Sequence, residues 1–252
     1  AIGFRLGAYR FDRYRSAKPA PTLSAPDGAD AAEIDRLVEA ALIARDLINT
    51  PANDLGPDAF EAAIRDFAKA RGMDIAVTAG DDLLKANFPL IHAVGRAAAE
   101  PPRLIDLSWG DPAAPKVTLV GKGVTFDTGG LDIKGAAGML LMKKDMGGAA
   151  NVLGLAHAIV SAGLNLRLRV LIPIVENAIS AASFRPGDVL PSRKGLTVEI
   201  TNTDAEGRLI LADALALADE ESPELLLDMA TLTGAARVAL GPELPPLYTA
   251  DG

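Results

Sequence analysis

The stretch Leu196–Asp219, LTVEITNTDAEGRLILADALALAD, passes from a β-branched run through a knot of charge into an apolar helical pattern. Leu196 to Thr201 reads as a strand, and from Arg208 to Asp219 the apolar residues recur at helical spacing. Between them Asp204, Glu206 and Arg208 stand at every second position. If that connection is extended, alternate side chains project to the same side, so one carboxylate can bind a metal ion while the other bridges to a second. A solvated turn explains acids in a connection, but not this spacing or the abrupt Leu209-Ile210-Leu211 behind it.

Outward from this junction, strand and helix patterns alternate. Helical spacing runs from Ala29 to Asn49 and again from Pro57, a first-turn proline after Gly56, to Ala70, with Gly72 as its stop. Asp74 to Thr78 reads as a short strand, Asp81 to Ala86 as a short helix, and Arg103 to Trp109 and Lys116 to Val120 as strands. Ala149 to Ala162 follows as a helix, Leu166 to Val175 as a fully buried strand, and Glu224 to Thr231 as a strand behind the Arg208 helix. This rhythm predicts an α/β fold: a mixed, mainly parallel β-sheet sandwiched between α-helices. Ligands in such folds gather beyond the carboxyl ends of the strands. Gly121–Gly130, Val175–Ile179, Asn202–Gly207 and Thr231–Gly234 are therefore expected on one rim.

Composition narrows the chemistry. A chain of 252 residues with 49% hydrophobic content can bury a substantial core. Its apolar runs fall far short of the ~20 residues of a membrane span, and a reading without membrane association follows. The absence of cysteine excludes disulfides, thiol catalysis and sulfur-held metals, and fits a reducing cytoplasm. A formal net charge of −8 makes a nucleic-acid partner a poor expectation. The chain opens in mid-pattern at AIGFRLGAYRFDRYR and stops at LYTADG, which predicts a domain incomplete at both ends.

The opposite wall of the expected site is VGKGVTFDTGGLDIKGAAGMLLMKKDMGGAA, Val120 to Ala150. Its glycines let backbone approach a ligand closely. It also brings Lys122, Asp127, Lys134 and Asp145 to the rim that holds Asp204 and Glu206. Four carboxylates cannot stay ionised in one small site without cations. Two divalent metals meet that need, activating water and polarising a carbonyl or a phosphoryl group. A two-metal phosphoesterase and a non-catalytic metal- or DNA-binding scaffold are among the readings open here. His92 and His157 lack metal-ligand spacing and read as hydrogen-bonded structural histidines. Trp109, Met139, Met142 and Met146 read as core or pocket-wall residues.

The motifs GKGVTFDTGG, KKDMGGAA, RPGDV and NTDAEGRL resemble those of the leucyl aminopeptidase, or cytosol aminopeptidase, family of two-metal peptidases, and the likeness extends over nearly the whole chain. It implies a zinc aminopeptidase-like catalytic domain over residues 29–252, C-terminally truncated, with residues 1–28 the remnant of an interdomain connection. It also implies that Lys122, as a neutral amine, and Asp145 bind one metal, that Asp127 and Glu206 contact both, and that Asp204 binds the other. Lys134 is then the ammonium that stabilises the oxyanion, and Arg208 holds the bicarbonate that acts as general base. The implied reaction removes the N-terminal residue, preferably an apolar one such as Leu, from peptides with a free N-terminus. Zinc is implied, with manganese or magnesium able to exchange, whereas ligand hardness alone suits Mg²⁺ or Mn²⁺. A homo-hexamer, a cytoplasmic location and a side-chain pocket containing Met142 and Thr231–Gly234 belong to the same expectation. Thr128, Asp132 and Gly135 depart from the residues common in the family.

Overall fold

A computed structural model describes residues 1–16, 18–24 and 26–249, so the expected domain end at 250–252 lies outside it. Helix α1 (Ile2–Gly7) precedes α2 (Ala31–Asn49), where the Asp30 side chain accepts the Glu33 N–H at 3.0 Å and caps the first turn. Helix α3 (Pro57–Arg71) starts on its proline, with the Glu100 carboxylate taking the Asp58 N–H at 2.7 Å, and ends at Gly72, whose φ of 63° closes the helix. Then come β1 (Asp74–Ala79), α4 (Asp82–Lys85), α5 (Pro89–Gly95), β2 (Arg103–Trp109), β3 (Lys116–Gly121) and β4 (Gly123–Asp127). A short α6 (Ala136–Met139) and a 3₁₀ turn over Met142–Met146 lead into α7 (Gly147–Ser161) and β5 (Arg167–Asn177). The remaining elements are β6 (Val189–Pro191), β7 (Thr197–Glu199), a 3₁₀ turn over Thr203–Ala205, α8 (Glu206–Asp219), β8 (Leu225–Met229) and α9 (Ala235–Leu240). No helix among the described residues is long and apolar enough to cross a membrane.

The sheet runs β1-β2-β5-β3-β8, with β4 also on β5. β5 pairs parallel with β3 and β4, and antiparallel with β2. Strand side chains alternate between faces, and β5 uses that to build two cores. Leu168, Val170, Ile172 and Ile174 are buried with Ile64 of α3 and Val152 and Leu153 of α7. Leu171 and Val175 are buried on the other side with Leu90 and Ile91 of α5 and Ile210 and Ala214 of α8. Each such side chain contributes about 1.5–3 kcal/mol by leaving water. The helix–sheet–helix sandwich is therefore the expected one, with a mixed sheet. The buried carboxylate of Asp213 accepts the N–H groups of Leu90 at 2.8 Å and Arg193 at 2.8 Å, tying α8 to the start of α5 and to the β6–β7 connection.

Two expectations are corrected. The strand expected from Leu196 to Thr201 shrinks to β7, which pairs only with β6 in a separate two-stranded ribbon. Leu196 is 64% exposed, so its β-branched neighbourhood lacks the sheet partner that would have extended it. The segment after Lys122 is not purely loop: Gly123–Asp127 forms β4 beside β5. Glycine at position 123 masked that strand, yet the close approach needs it, because a Cβ there would lie 2.6 Å from the Pro173 carbonyl.

Candidate metal centre

Strands β3, β4, β5 and β8 deliver their carboxyl ends to one rim, and the charged residues collect there. Lys122 follows β3, Asp127 ends β4, and Asp145 lies on the 3₁₀ turn ahead of α7. Asp204 sits in the 3₁₀ turn before α8, while Glu206 is the first residue of that helix. Lys122 Nζ lies 2.5 Å from Asp145 and 3.0 Å from Glu206, with all three side chains at most 3% exposed. Lys134 Nζ lies 2.8 Å from Asp127 Oδ2 and is also paired with Asp204. Asp127, Asp204 and Glu206 each offer one oxygen, all within 4.8 Å of one another. The expected wall and its opposite therefore meet.

The reason for the meeting differs from the expected one. Asp204 and Glu206 are not in an extended segment, so strand alternation does not align them. Asp204 has φ −82° and ψ 15°, and Ala205 has φ −117° and ψ 34°, which bends the chain just before α8 begins. Thr203 anchors this bend to the glycine-rich loop. Its backbone N–H donates to Asp132 at 2.7 Å, its hydroxyl donates to the Gly129 carbonyl at 2.6 Å, and the Asp132 N–H donates to that hydroxyl at 2.8 Å. Asp132 thus joins the two walls. Gly130, at φ +65°, is required at the junction, since a Cβ would come 2.9 Å from the Thr203 hydroxyl.

The electrostatics are those of a site with too much negative charge for its burial. Burial pushes the Glu206 carboxyl up to about 7, with Lys122 opposing and Asp127 and Asp145 adding to the rise. Burial also raises Asp204. Burial disfavours charge on Lys122, but Asp145 and Glu206 outweigh it and hold the ammonium above its ordinary value. Lys134 behaves likewise between Asp127 and Asp204. The two ammonium groups occupy the positions where cations are needed. Oxygen donors at this density, with an amine among them, fit divalent metal ions.

The other expected residues distribute as follows. Arg208 is exposed on the first turn of α8 and makes no ion pair among the described residues. Thr231, Leu232 and Thr233 line an open cavity of about 720 Å³ with Arg237 and Tyr248, and neither Met142 nor Gly234 is among its lining residues. Thr231 also reaches Asp145, its hydroxyl donating to Oδ1 at 2.8 Å. His157 accepts from Arg71 Nε at 3.0 Å and His92 lies 3.1 Å from Asp81, so both are structural as expected. Met146 is buried and Trp109 packs against the same core. The sequence reading missed Asn177. It lay on the expected rim, but a lone amide at a strand end carries no local motif.

Known proteins share this fold. The family model described as "Cytosol aminopeptidase family, catalytic domain" matches residues 42–252. A probable cytosol aminopeptidase of Nocardia farcinica is 45% identical over 271 residues, covering 100% of this chain and 52% of that protein. The crystal structure of a cytosol aminopeptidase from Coxiella burnetii superposes with a TM-score of 0.91 at 55% identity, covering 96% of this chain and 52% of that one. The bottromycin maturation enzyme BotP, solved in complex with Mn, gives 0.87 at 45% identity over 95% of this chain and 53% of its own. The chain spans about half the length of the curated relatives it matches. On its family-model match, its relatives and its structural likeness, the chain belongs to the cytosol aminopeptidase family.

Proposed function

We propose that this chain carries the metal centre of a leucyl aminopeptidase-type exopeptidase that removes an apolar N-terminal residue, such as Leu, from peptides. The observation that carries the reading is the convergence of Lys122, Asp127, Asp145, Asp204 and Glu206 in a member of this family. Lys122, as the neutral amine left when a binding ion displaces its proton, and Asp145 would hold one divalent ion, Asp204 the other, and Asp127 and Glu206 both. Such ions, zinc or manganese with magnesium able to exchange, would neutralise the carboxylates, lower the pKa of water and polarise the scissile carbonyl.

The chain's own groups supply the rest. Lys134, once released from Asp127 and Asp204, is an ammonium at the rim able to stabilise a developing oxyanion. Arg208, exposed and without an ion-pair partner among the described residues, is suited to hold bicarbonate as the proton acceptor. A free substrate amine would be recognised as a neutral ligand to the bound ions, which requires an unblocked N-terminus. Residues 1–28 are read as the connection from a preceding domain, and the whole protein as a cytoplasmic homo-hexamer. A phosphoesterase could use the same carboxylates and cations, and the family match favours the peptidase over it. The net charge of −8 opposes a DNA-binding scaffold.

Hydrolysis of leucyl-p-nitroanilide with added Mn²⁺ tests the reading. Cleavage that disappears when the leucyl amine is acetylated is the expected result. Equal cleavage of the acetylated compound, or release of phosphate from p-nitrophenyl phosphate in its place, would overturn it.

A further inference from the structure

Asn177 ends β5 and is 1% exposed, in strand register directly opposite Asp127 of β4. Its Nδ2 donates to Asp127 Oδ1 at 2.8 Å and to the Thr203 carbonyl at 3.1 Å. Both neighbours are acceptors, which decides the amide's orientation: turned over, it would set its oxygen against two oxygens. Its own Oδ1 is buried facing Gly130, with no hydrogen-bond partner among the described residues. A buried acceptor left unmatched is costly, and the site retains it. The donated bonds explain why. Oδ1 of Asp127 is filled by Asn177 and by the Gly129 N–H at 2.9 Å, which leaves Oδ2 turned toward Lys134 and Asp204. The second bond holds the carbonyl immediately before Asp204. One amide therefore fixes a carboxylate from each wall.

Resting on the metal-centre reading above, we infer that Asn177 is a positioning residue that aims the Oδ2 atom of Asp127 and the Thr203–Ala205 turn at the bound cation. Removing the amide leaves Asp127 free to rotate and uncouples it from the turn that carries Asp204. Partners of this kind behind a metal ligand are worth roughly 10- to 100-fold in affinity.

The test is Mn²⁺ titration of the 252-residue chain, followed by the electron paramagnetic resonance of free Mn²⁺, with chelator-treated melting curves recorded alongside. Asn177→Ala and Asn177→Leu are expected to weaken Mn²⁺ binding by about tenfold or more while the chelated variants still unfold cooperatively. Binding within twofold of wild type in either folded variant overturns the inference and leaves the metal centre standing. Loss of folding in both variants also overturns it, because the amide would then serve the fold. A wild-type chain that binds no Mn²⁺ overturns the metal-centre reading itself, and with it this inference.

Discussion

Glu206 shows how a single residue registers the cost of the site. It is 2% exposed, and burial raises its carboxyl to about 7 from an ordinary 4.5, with Asp127 and Asp145 adding to the rise. A carboxyl whose folded value lies above its unfolded one stabilises the fold through its protonated form. That contribution is full below about pH 4.5 and is lost as pH rises through about 7. In chelator, the melting temperature should therefore fall between about pH 5 and 8, and Glu206→Gln should flatten the fall. An unchanged slope in that variant would contradict this electrostatic account. Lys122 adds nothing to this window: it stays charged well above it, held by Asp145 and Glu206 against its burial. Which residues carry charge was legible from their types and motifs. The amide of Asn177 was not, because its meaning comes from the register of β4 on β5, which brings together residues fifty positions apart.

At the scale of elements, α8 is the part that converts local conformation into site geometry. Gly207 occupies its first turn, and a Cβ there would lie 2.4 Å from Lys122 Cε. Alanine in a helix is favoured over glycine by ~1 kcal/mol, so helix propensity and site geometry conflict at this position. Gly207→Ala is expected to keep the chelated chain folded yet push Lys122 off Asp145 and Glu206, weakening Mn²⁺ binding by about tenfold, a loss of ~1.4 kcal/mol. Unaltered Mn²⁺ affinity in a titration would show that Lys122 has room to move. Helices α2, α3 and α7 and strands β2, β3 and β5 were readable because apolar periodicity matches burial there. β4 was hidden by its glycine, and β7 was overextended because β-branched residues mark a strand without naming its partner. The bend at Asp204 and Ala205 escaped for a similar reason, since alternating charge looks the same in a strand and in a kinked turn.

For the whole molecule, the sheet with its two apolar faces is the frame, and the centre lies where strands from its middle end. β3 and β4 flank β5 and bring Lys122 and Asp127 to that rim, while α8 lies over the second core with Glu206 at its tip. Neither wall suffices alone: Asp145 and Asp127 come from one, Asp204 and Glu206 from the other, and Lys122 and Lys134 hold the two sets together. The central claim is that these walls form one centre for a pair of divalent ions, and a metal count tests it most directly. After equilibration with Mn²⁺ and removal of free ion, the wild-type chain is predicted to retain about two ions, and Asp204→Ala about one or fewer. Less than one ion on the wild-type chain, or about two on the Asp204→Ala variant, would contradict the account.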